Sequence, residues 1–412
     1  MTPLDPSLFG EIDPPQRLLM GPGPVNAHPR VLRAMSAELL GQFDPEMTGY
    51  MNQVMALYRP IFGTRNRWTL LVDGTARAGI EAALVSLVAP GDRVLVVNFG
   101  RFGLLLTEIL ARIGAVIETV DAPWGETVPM DAIAAAIERT APKVVATIHG
   151  DTSTTMAQPL DGLGALAHAA GALLYVDATA TIGGMELASD RWGADIVTGG
   201  LQKCLGGPSG SAPITVSDAA AALIGARRHI EQGIRRDDIV DGIGPRIGSN
   251  YFDLAMIMDY WSEKRLNHHT EATSMLYAAR ECARLMLGEG LEARYTRHAA
   301  AGRAMTAGLR AMGLAIFGDD AHRMTNVTGV FIPDGVDGER VRALMRTQFE
   351  IEIGTAFGPL AGRIWRIGAM GYNAMKHKVL LTLGALEACL RMEGFAVPAG
   401  DAVHAAMAAW DA

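Results

Sequence analysis

Lys203 stands in the stretch DIVTGGLQKCLGGPSG, Asp195 to Gly210, where a short apolar run ends in two glycines and a Gly/Pro/Ser loop follows. A lysine amine is a nucleophile toward carbonyl carbon and forms Schiff bases with aldehydes. Glycines around it let backbone and a bound group approach closely. Asp177 ends an upstream run, LLYVD. A carboxylate opposite a pyridine nitrogen keeps that nitrogen protonated and makes the ring an electron sink. Phe102 follows VLVVNFG and offers a ring for stacking. The turn DGTARAG, Asp73 to Gly79, runs straight into a helical pattern, and the first amides of a helix bind phosphate. Together these residues suit pyridoxal 5'-phosphate. Each alone has an ordinary use. A lysine in a glycine-rich loop is usually solvated, an aspartate commonly caps a helix or turn, and GPGP at 21–24 reads as a turn. The joint order and spacing carry the reading.

The elements that must position them follow from the pattern. WTLLVDG, DRVLVVNFG, KVVATIHG, ALLYVDA and ADIVTGG read as buried strands, with helical segments such as ARAGIEAALVSLV, RFGLLLTEILARIG and LDGLGALAHAAG between them. Short apolar strands alternating with helices mean a largely parallel sheet covered on both faces. Ligands of such sheets sit at the carboxyl ends of the strands. Thr75, Phe102, His149, Asp177 and Lys203 all follow or end strands, so they are expected to converge on one crevice.

After Tyr251, YFDLAMIMDYWSEKRLN and TSMLYAARECARLMLGEG read as helices. Helix RYTRHAAAGRAMTAGLRAMG, strand VTGVFIP, helix DGERVRALMRTQF, strands IEIGT and IWRIGAM, and helix HKVLLTLGALEACLRMEG complete an α+β pattern. The organisation expected is an arm over 1–24, a large domain over 25–285 and a smaller C-terminal domain over 286–412.

The chain has 412 residues, 19% charged and 49% hydrophobic, with a net charge of -8. That balance, without a Lys/Arg-rich run, argues against nucleic-acid partners. The N-terminus lacks the charged start and apolar core of a signal peptide. No uncharged apolar stretch approaches the roughly 18 residues a membrane helix needs. Cys204, Cys282 and Cys389 form no CxxC pair, which gives no disulfide frame and no metal site. A cytoplasmic enzyme is expected.

The segments LLMGPGPVNAHPRVLRAM, DGTARAGIEAAL, GDTSTTMAQPLDG, LLYVDATATIGG, GGLQKCLGGPSG and IWRIGAMGYN resemble those of the fold-type I, class V aminotransferases, within them the alanine/serine–glyoxylate group. The resemblance runs from Leu18 to about Glu393. It implies an α/β fold with a mostly parallel seven-stranded sheet and a smaller C-terminal α+β domain, and pyridoxal 5'-phosphate as cofactor. Lys203 would be the Schiff-base lysine and proton shuttle, and Asp177 the partner of the pyridine nitrogen. Phe102 takes a stacking position where relatives often have Trp. Thr75, Ala76 and Arg77 occupy the phosphate cup, where relatives often have Ser-Gly-His. Thr152 and Gln202 match cofactor contacts. Thr270 matches a residue that reaches the neighbouring subunit's phosphate, implying a homodimer with shared sites. Arg366 matches the arginine that holds the substrate α-carboxylate, a task suited to a guanidinium fork.

Gln42, in GQFDPEM, falls near the expected substrate entrance, and Asn267 stands where many alanine–glyoxylate enzymes carry Tyr. Two amides donate to and accept from a ureido group. The pair resembles that of the (S)-ureidoglycine–glyoxylate aminotransferases of purine breakdown, which give oxalurate and glycine. The alternatives are an alanine– or serine–glyoxylate or pyridoxamine–pyruvate enzyme, a lyase or desulfurase on the same fold, and a non-enzymatic relative. The position of Cys204 beside the lysine disfavours a desulfurase, and intact Lys203, Asp177 and Arg366 disfavour a binding protein.

Overall fold

The computed structural model describes residues 4–235 and 240–412. Seven strands form the main sheet: β1 Trp68–Asp73, β2 Arg93–Asn98, β3 Val116–Asp121, β4 Val144–Ile148, β5 Leu173–Asp177, β6 Ile196–Thr198 and β7 Ser211–Val216. Their order is β1-β7-β6-β5-β4-β2-β3. All pairings are parallel except the two made by β7. Every residue of β4 is buried, as expected of a strand covered on both faces.

Helices α1 Pro45–Phe62, α2 Ala76–Leu87, α3 Arg101–Ile113, α4 Met130–Thr140 and α5 Leu163–Ala169 supply that cover. In α3 the buried residues are Gly103, Leu106, Ile109 and Leu110, the three-to-four spacing of a one-sided helix. Gly114, with φ of 87°, ends it in the left-handed region. Gly79 lets α2 press on β7, since a Cβ there would stand 2.8 Å from that of Ala212.

The sequence reading did not include β3, β7, α1 or α4. β3 is an edge strand with charged, mostly exposed positions, so it lacks an apolar run. β7 contains Pro213, a residue that argues against a strand interior. It is accommodated because its carbonyl accepts from Gly199 while the proline lies opposite Leu71.

Beyond the sheet come α6 Leu254–Trp261, α7 Thr273–Glu289 and α8 Leu291–Ala311. The helix expected over 251–267 is shorter than read. Asp253 caps its start through the amides of Ala255 and Met256, at 2.8 and 3.2 Å. Ser262 then takes Asp259 O and the Lys264 amide on its hydroxyl, and Arg265 adopts φ of 45°. Those local bonds stop the helix.

The C-terminal part has strands β8 Val327–Phe331, β9 Gly354–Thr355 and β10 Ile364–Gly368, in the order β8-β10-β9. Helices α9 Gly338–Gln348, α10 Lys376–Met392 and α11 Asp401–Trp410 pack with α8 around a second core that includes Met305, Trp365 and Leu386. IEIGT is not one strand: Ile351 and Glu352 pair with Leu18 and Leu19, while Gly354 and Thr355 pair with β10. That parallel pairing clasps the N-terminal arm, and Met20 is fully buried in the second core.

Candidate active site

In register, Ile148 of β4 lies beside Asp177 of β5, and Asp177 beside Thr198 of β6. Three carboxyl ends therefore line up. Past β6 the chain turns through Gly199 and Gly200 into a single wide turn, Leu201–Leu205, within which Lys203 is non-helical at φ -111° and ψ -130°. A Cβ on Gly200 would stand 2.8 Å from Ala76 Cβ, so that glycine brings the lysine loop against the start of α2.

A cavity of about 240 Å³ opens there. Its walls include Lys203, Asp177, Phe102, Thr152 and Gln202, and at one end Thr75, Ala76 and Arg77. The structure thus brings together the expected cofactor residues of this chain, Thr270 apart. Asp177 is 3% exposed. Its Oδ1 accepts from the Thr179 amide at 2.9 Å, and burial raises its pKa to about 6. Burial, with the positive charge of Arg366, lowers the Lys203 amine to about 8. Lys203 Nζ donates to the carbonyl of Pro22.

That contact makes the GPGP segment part of the site. Gly23 has φ of 99°, and a Cβ on it would fall 2.4–2.8 Å from three atoms of the Lys203 side chain. Only a glycine fits so close to the lysine with that backbone.

The cavity suits an anion and a polar ring. Thr75 is the N-cap of α2 and makes no side-chain cap bond; the Ala78 amide donates to Thr75 O, which leaves the amides of Ala76 and Arg77 at the end of the cavity where helix starts bind anions. Gln202 Oε1 and Thr179 Oγ1 are buried without a hydrogen-bond partner. Such orphaned atoms are rare unless a bound group completes them. The residues present fit pyridoxal phosphate: cradle, ring wall, carboxylate and amine.

Phe102 is positioned by a residue the sequence reading missed. Its amide donates to Asp151 Oδ2 at 2.8 Å. Asp151 Oδ1 accepts from the amide and hydroxyl of Ser153, at 2.8 and 2.6 Å. A fully buried carboxylate thus closes the positive end of α3 and fixes the aromatic wall. The Asp-x-Ser pattern of an Asx turn was the available signal.

Arg366, on β10, is 4% exposed. Its Nε donates to Thr355 O and its Nη1 to Thr152 O, both at 2.8 Å. The guanidinium lies 4.9 Å from the centre of the Phe357 ring. Holding it on neutral carbonyls leaves its charge for an anion beside the cavity. Burial lowers its pKa to about 10, so it remains charged at neutral pH.

C-terminal residues also grip the lysine loop from behind. Arg294 of α8 donates to Cys204 O at 2.5 Å and to Gly183 O at 2.8 Å. Asn326 donates to Ala180 O at 2.7 Å and lies 2.9 Å from Cys204 Sγ. Neither position carries a local sequence signal.

His149 does not join the crevice as expected. Its Nδ1 pairs with Thr181 Oγ1 at 2.9 Å and its ring sits 4.8 Å from Trp192. Alternation along the strand points it away from the cavity, and burial lowers its pKa to about 4, leaving it neutral.

Gln42, Asn267 and Thr270 are not among the residues lining this chain's cavity. Gln42 Nε2 donates to Asn267 Oδ1 at 2.8 Å, and Gln42 Oε1 is buried without a partner. Thr270 is exposed.

A parallel sheet presenting lysine, aspartate and a helix-start cradle at its strand ends defines a fold-type I pyridoxal-phosphate-dependent transferase. The chain belongs to the class-V aminotransferase family, whose model, Aminotransferase class-V, matches residues 30–365. It is 50% identical to the (S)-ureidoglycine–glyoxylate transaminase of Bacillus subtilis over 96% of each chain. It is 33% identical to the alanine–glyoxylate aminotransferase of Mus musculus, over 95% of this chain and 92% of the other. The crystal structure of ureidoglycine–glyoxylate aminotransferase from Bacillus subtilis superposes with a TM-score of 0.92 at 49% identity, covering 98% of this chain and all of that one. Pyridoxamine–pyruvate aminotransferase from Mesorhizobium loti follows the same fold at a TM-score of 0.88 and 29% identity, covering 96% and 97%. The protein is a pyridoxal-phosphate-dependent transaminase. Among the described residues no helix is long and apolar enough to cross a membrane.

Proposed function

We propose that this transaminase moves the amino group of (S)-ureidoglycine to glyoxylate, giving oxalurate and glycine, in the cytoplasm as a step of purine and allantoin breakdown. The observation that carries the donor is the Gln42–Asn267 pair. Locked to Gln42, the exposed Asn267 keeps its Nδ2 as a donor, complementary to a ureido C=O. The 50% identical relative named for that substrate supports the same reading.

The pair and Thr270 lie off this chain's own cavity wall. They serve the site of a second subunit, so the working unit is a homodimer with two shared sites. Thr270 adds a hydroxyl to the neighbour's phosphate. A monomer that retains turnover in sedimentation at assay concentration would overturn this arrangement.

The bound cofactor supplies an electron sink for the bond changes at the donor's α-carbon. Lys203 Nζ holds it and moves the proton at that carbon, a role suited to an amine lowered to about 8. Asp177 would be the carboxylate for the ring nitrogen, Phe102 would stack on the ring, and Thr152 and Gln202 would contact the cofactor. Thr75, Ala76 and Arg77 hold the phosphate. Arg366 binds the α-carboxylate of donor and acceptor in turn.

The decisive experiment offers donors singly to the holoenzyme without acceptor and follows the loss of its visible absorption. Ureidoglycine is unstable and is generated in place from allantoate by a coupled hydrolase. Faster conversion than with alanine or serine is expected. A preference for alanine or serine would replace this reading with an alanine– or serine–glyoxylate aminotransferase, as the 33% identical relative would suggest.

A further inference from the structure

Arg101 opens α3 and lines the same cavity as Lys203. Its amide donates to Ser153 Oγ at 2.9 Å, so the turn that holds Phe102 also fixes Arg101. The Arg101 guanidinium stands 5.4 Å from the centre of the Phe102 ring and 4.7 Å from that of Phe357. Arg366 approaches the Phe357 ring at 4.9 Å. Two guanidinium groups thus share one phenyl ring, close enough for one small molecule to span them.

The charge of Arg101 has no counter-charge in the chain. Among the described residues its guanidinium makes no hydrogen bond and no ion pair, and rests on aromatic faces. The buried acids of the site are committed elsewhere, Asp151 to the amides of Phe102 and Ser153 and Asp177 to that of Thr179. Arg366 feels the repulsion: burial is the chief cause of its lowered pKa, and Arg101 lowers it further. The phosphate cradle lies at the start of α2, whereas Arg101 faces Phe357 and Arg366 of the C-terminal part. A guanidinium stacked on rings keeps its N–H fork free and already ordered for a carboxylate. A monocarboxylate on Arg366 leaves that second fork empty. A molecule carboxylated at both ends fills both.

We propose that Arg101 is a second carboxylate-binding residue, and that the enzyme takes four-carbon dicarboxylic 2-oxo acids such as oxaloacetate as amino acceptors besides glyoxylate. Arg366 holds the α-carboxylate, as proposed above, and Arg101 the distal one. In the transfer the 2-oxo carbon loses its oxygen and gains the amino group and one hydrogen, giving aspartate. The donor carbon loses both and gains the oxygen, so no further reactant is consumed. This second activity requires the Arg366 role but no particular amino donor.

The test starts from enzyme charged with pyridoxamine 5'-phosphate, so that no donor is needed. Its conversion is followed against oxaloacetate, pyruvate and glyoxylate concentration, and the amino acid formed is quantified by chromatography. Oxaloacetate should give aspartate and half-saturate the enzyme at a concentration at least about 10-fold below that of pyruvate, which lacks the distal carboxylate, on the scale of a charged hydrogen bond. Arg101→Gln should abolish that advantage, and Arg101→Lys, which keeps the charge, should retain part of it. Calorimetric binding of succinate to the pyridoxal-phosphate holoenzyme, which involves no turnover, should weaken about 10-fold in Arg101→Gln. Absence of aspartate, or an oxaloacetate-to-pyruvate ratio unchanged by Arg101→Gln, overturns the proposal. So does an equal loss for all three acceptors in that variant, which would mark Arg101 as a support of the loop. Arg366→Ala reads the other end separately: all three acceptors should suffer alike, and a variant that spares them overturns the α-carboxylate role of Arg366 and the dicarboxylate site with it.

Discussion

Gln42 and Asn267, 225 residues apart in sequence, are joined side chain to side chain at 2.8 Å. Asn267 lies on the irregular segment that follows α6, and Gln42 just before α1. Each amide fixes the other's orientation, so in the role proposed for the pair little side-chain entropy would be lost on binding.

Replacing Asn267 by Tyr breaks that pair. Amides left unpaired cost about 1–3 kcal/mol per buried group. Ureidoglycine turnover should therefore fall about 10- to 100-fold in kcat/KM, while alanine turnover changes little. Arg366→Ala should lower both equally, because both donors carry an α-carboxylate. Steady-state kinetics with the two donors checks this, and an equal loss on Asn267→Tyr would contradict it.

Gly23→Ala addresses the arm over the lysine. The new Cβ would lie inside contact distance of Lys203 Cδ, Cε and Nζ, and φ of 99° disfavours any side chain. The variant should fold, since the second core is untouched, but bind less cofactor. Cofactor content per chain after dialysis, with the far-ultraviolet circular dichroism unchanged, is the measurement.

The depressed pKa of Lys203 fixes a pH dependence. Only the neutral amine attacks an aldehyde. With the amine at about 8, the rate of cofactor reloading onto stripped enzyme should rise with pH and level off above roughly 8–9 rather than climb toward 10.5. Stopped-flow absorbance between pH 6 and 10 reads it.

Asp177→Asn should keep the Thr179 amide bond on its remaining oxygen and retain the cofactor. The half-reaction should slow on the order of 100-fold or more, the scale of a lost preorganised charge. In cofactor-free enzyme the same change should stabilise the fold at neutral pH. The Asp177 carboxyl titrates near 6 when folded, against 3.8. The folded state therefore holds more protons between those values, and stability falls as pH rises through them. The variant lacks that loss. Its advantage should be absent near pH 4 and reach on the order of 2–3 kcal/mol at pH 7. Urea unfolding of both cofactor-free proteins at the two pH values decides it.

The sequence by itself determined the strand ends. Apolar runs bounded by turns place Lys203, Asp177, Thr75 and Phe102 at one edge of a parallel sheet, because strand direction and connection are set locally. Thr152, Gln202 and Arg366 came from resemblance, and the structure puts the first two on the cavity wall and ties Arg366 to Thr152. Tertiary structure alone decided the rest. Pro22 reaches Lys203 only because Leu18–Leu19 pair with Ile351–Glu352. Asp151 holds Phe102 across two strand ends, and His149 turns from the cavity to Thr181 and Trp192. Gln42 meets Asn267, and Asp73 meets His269, across long stretches of chain. Periodicity in a sequence reports which face of an element is buried, but which distant polar groups face each other follows from how those elements pack.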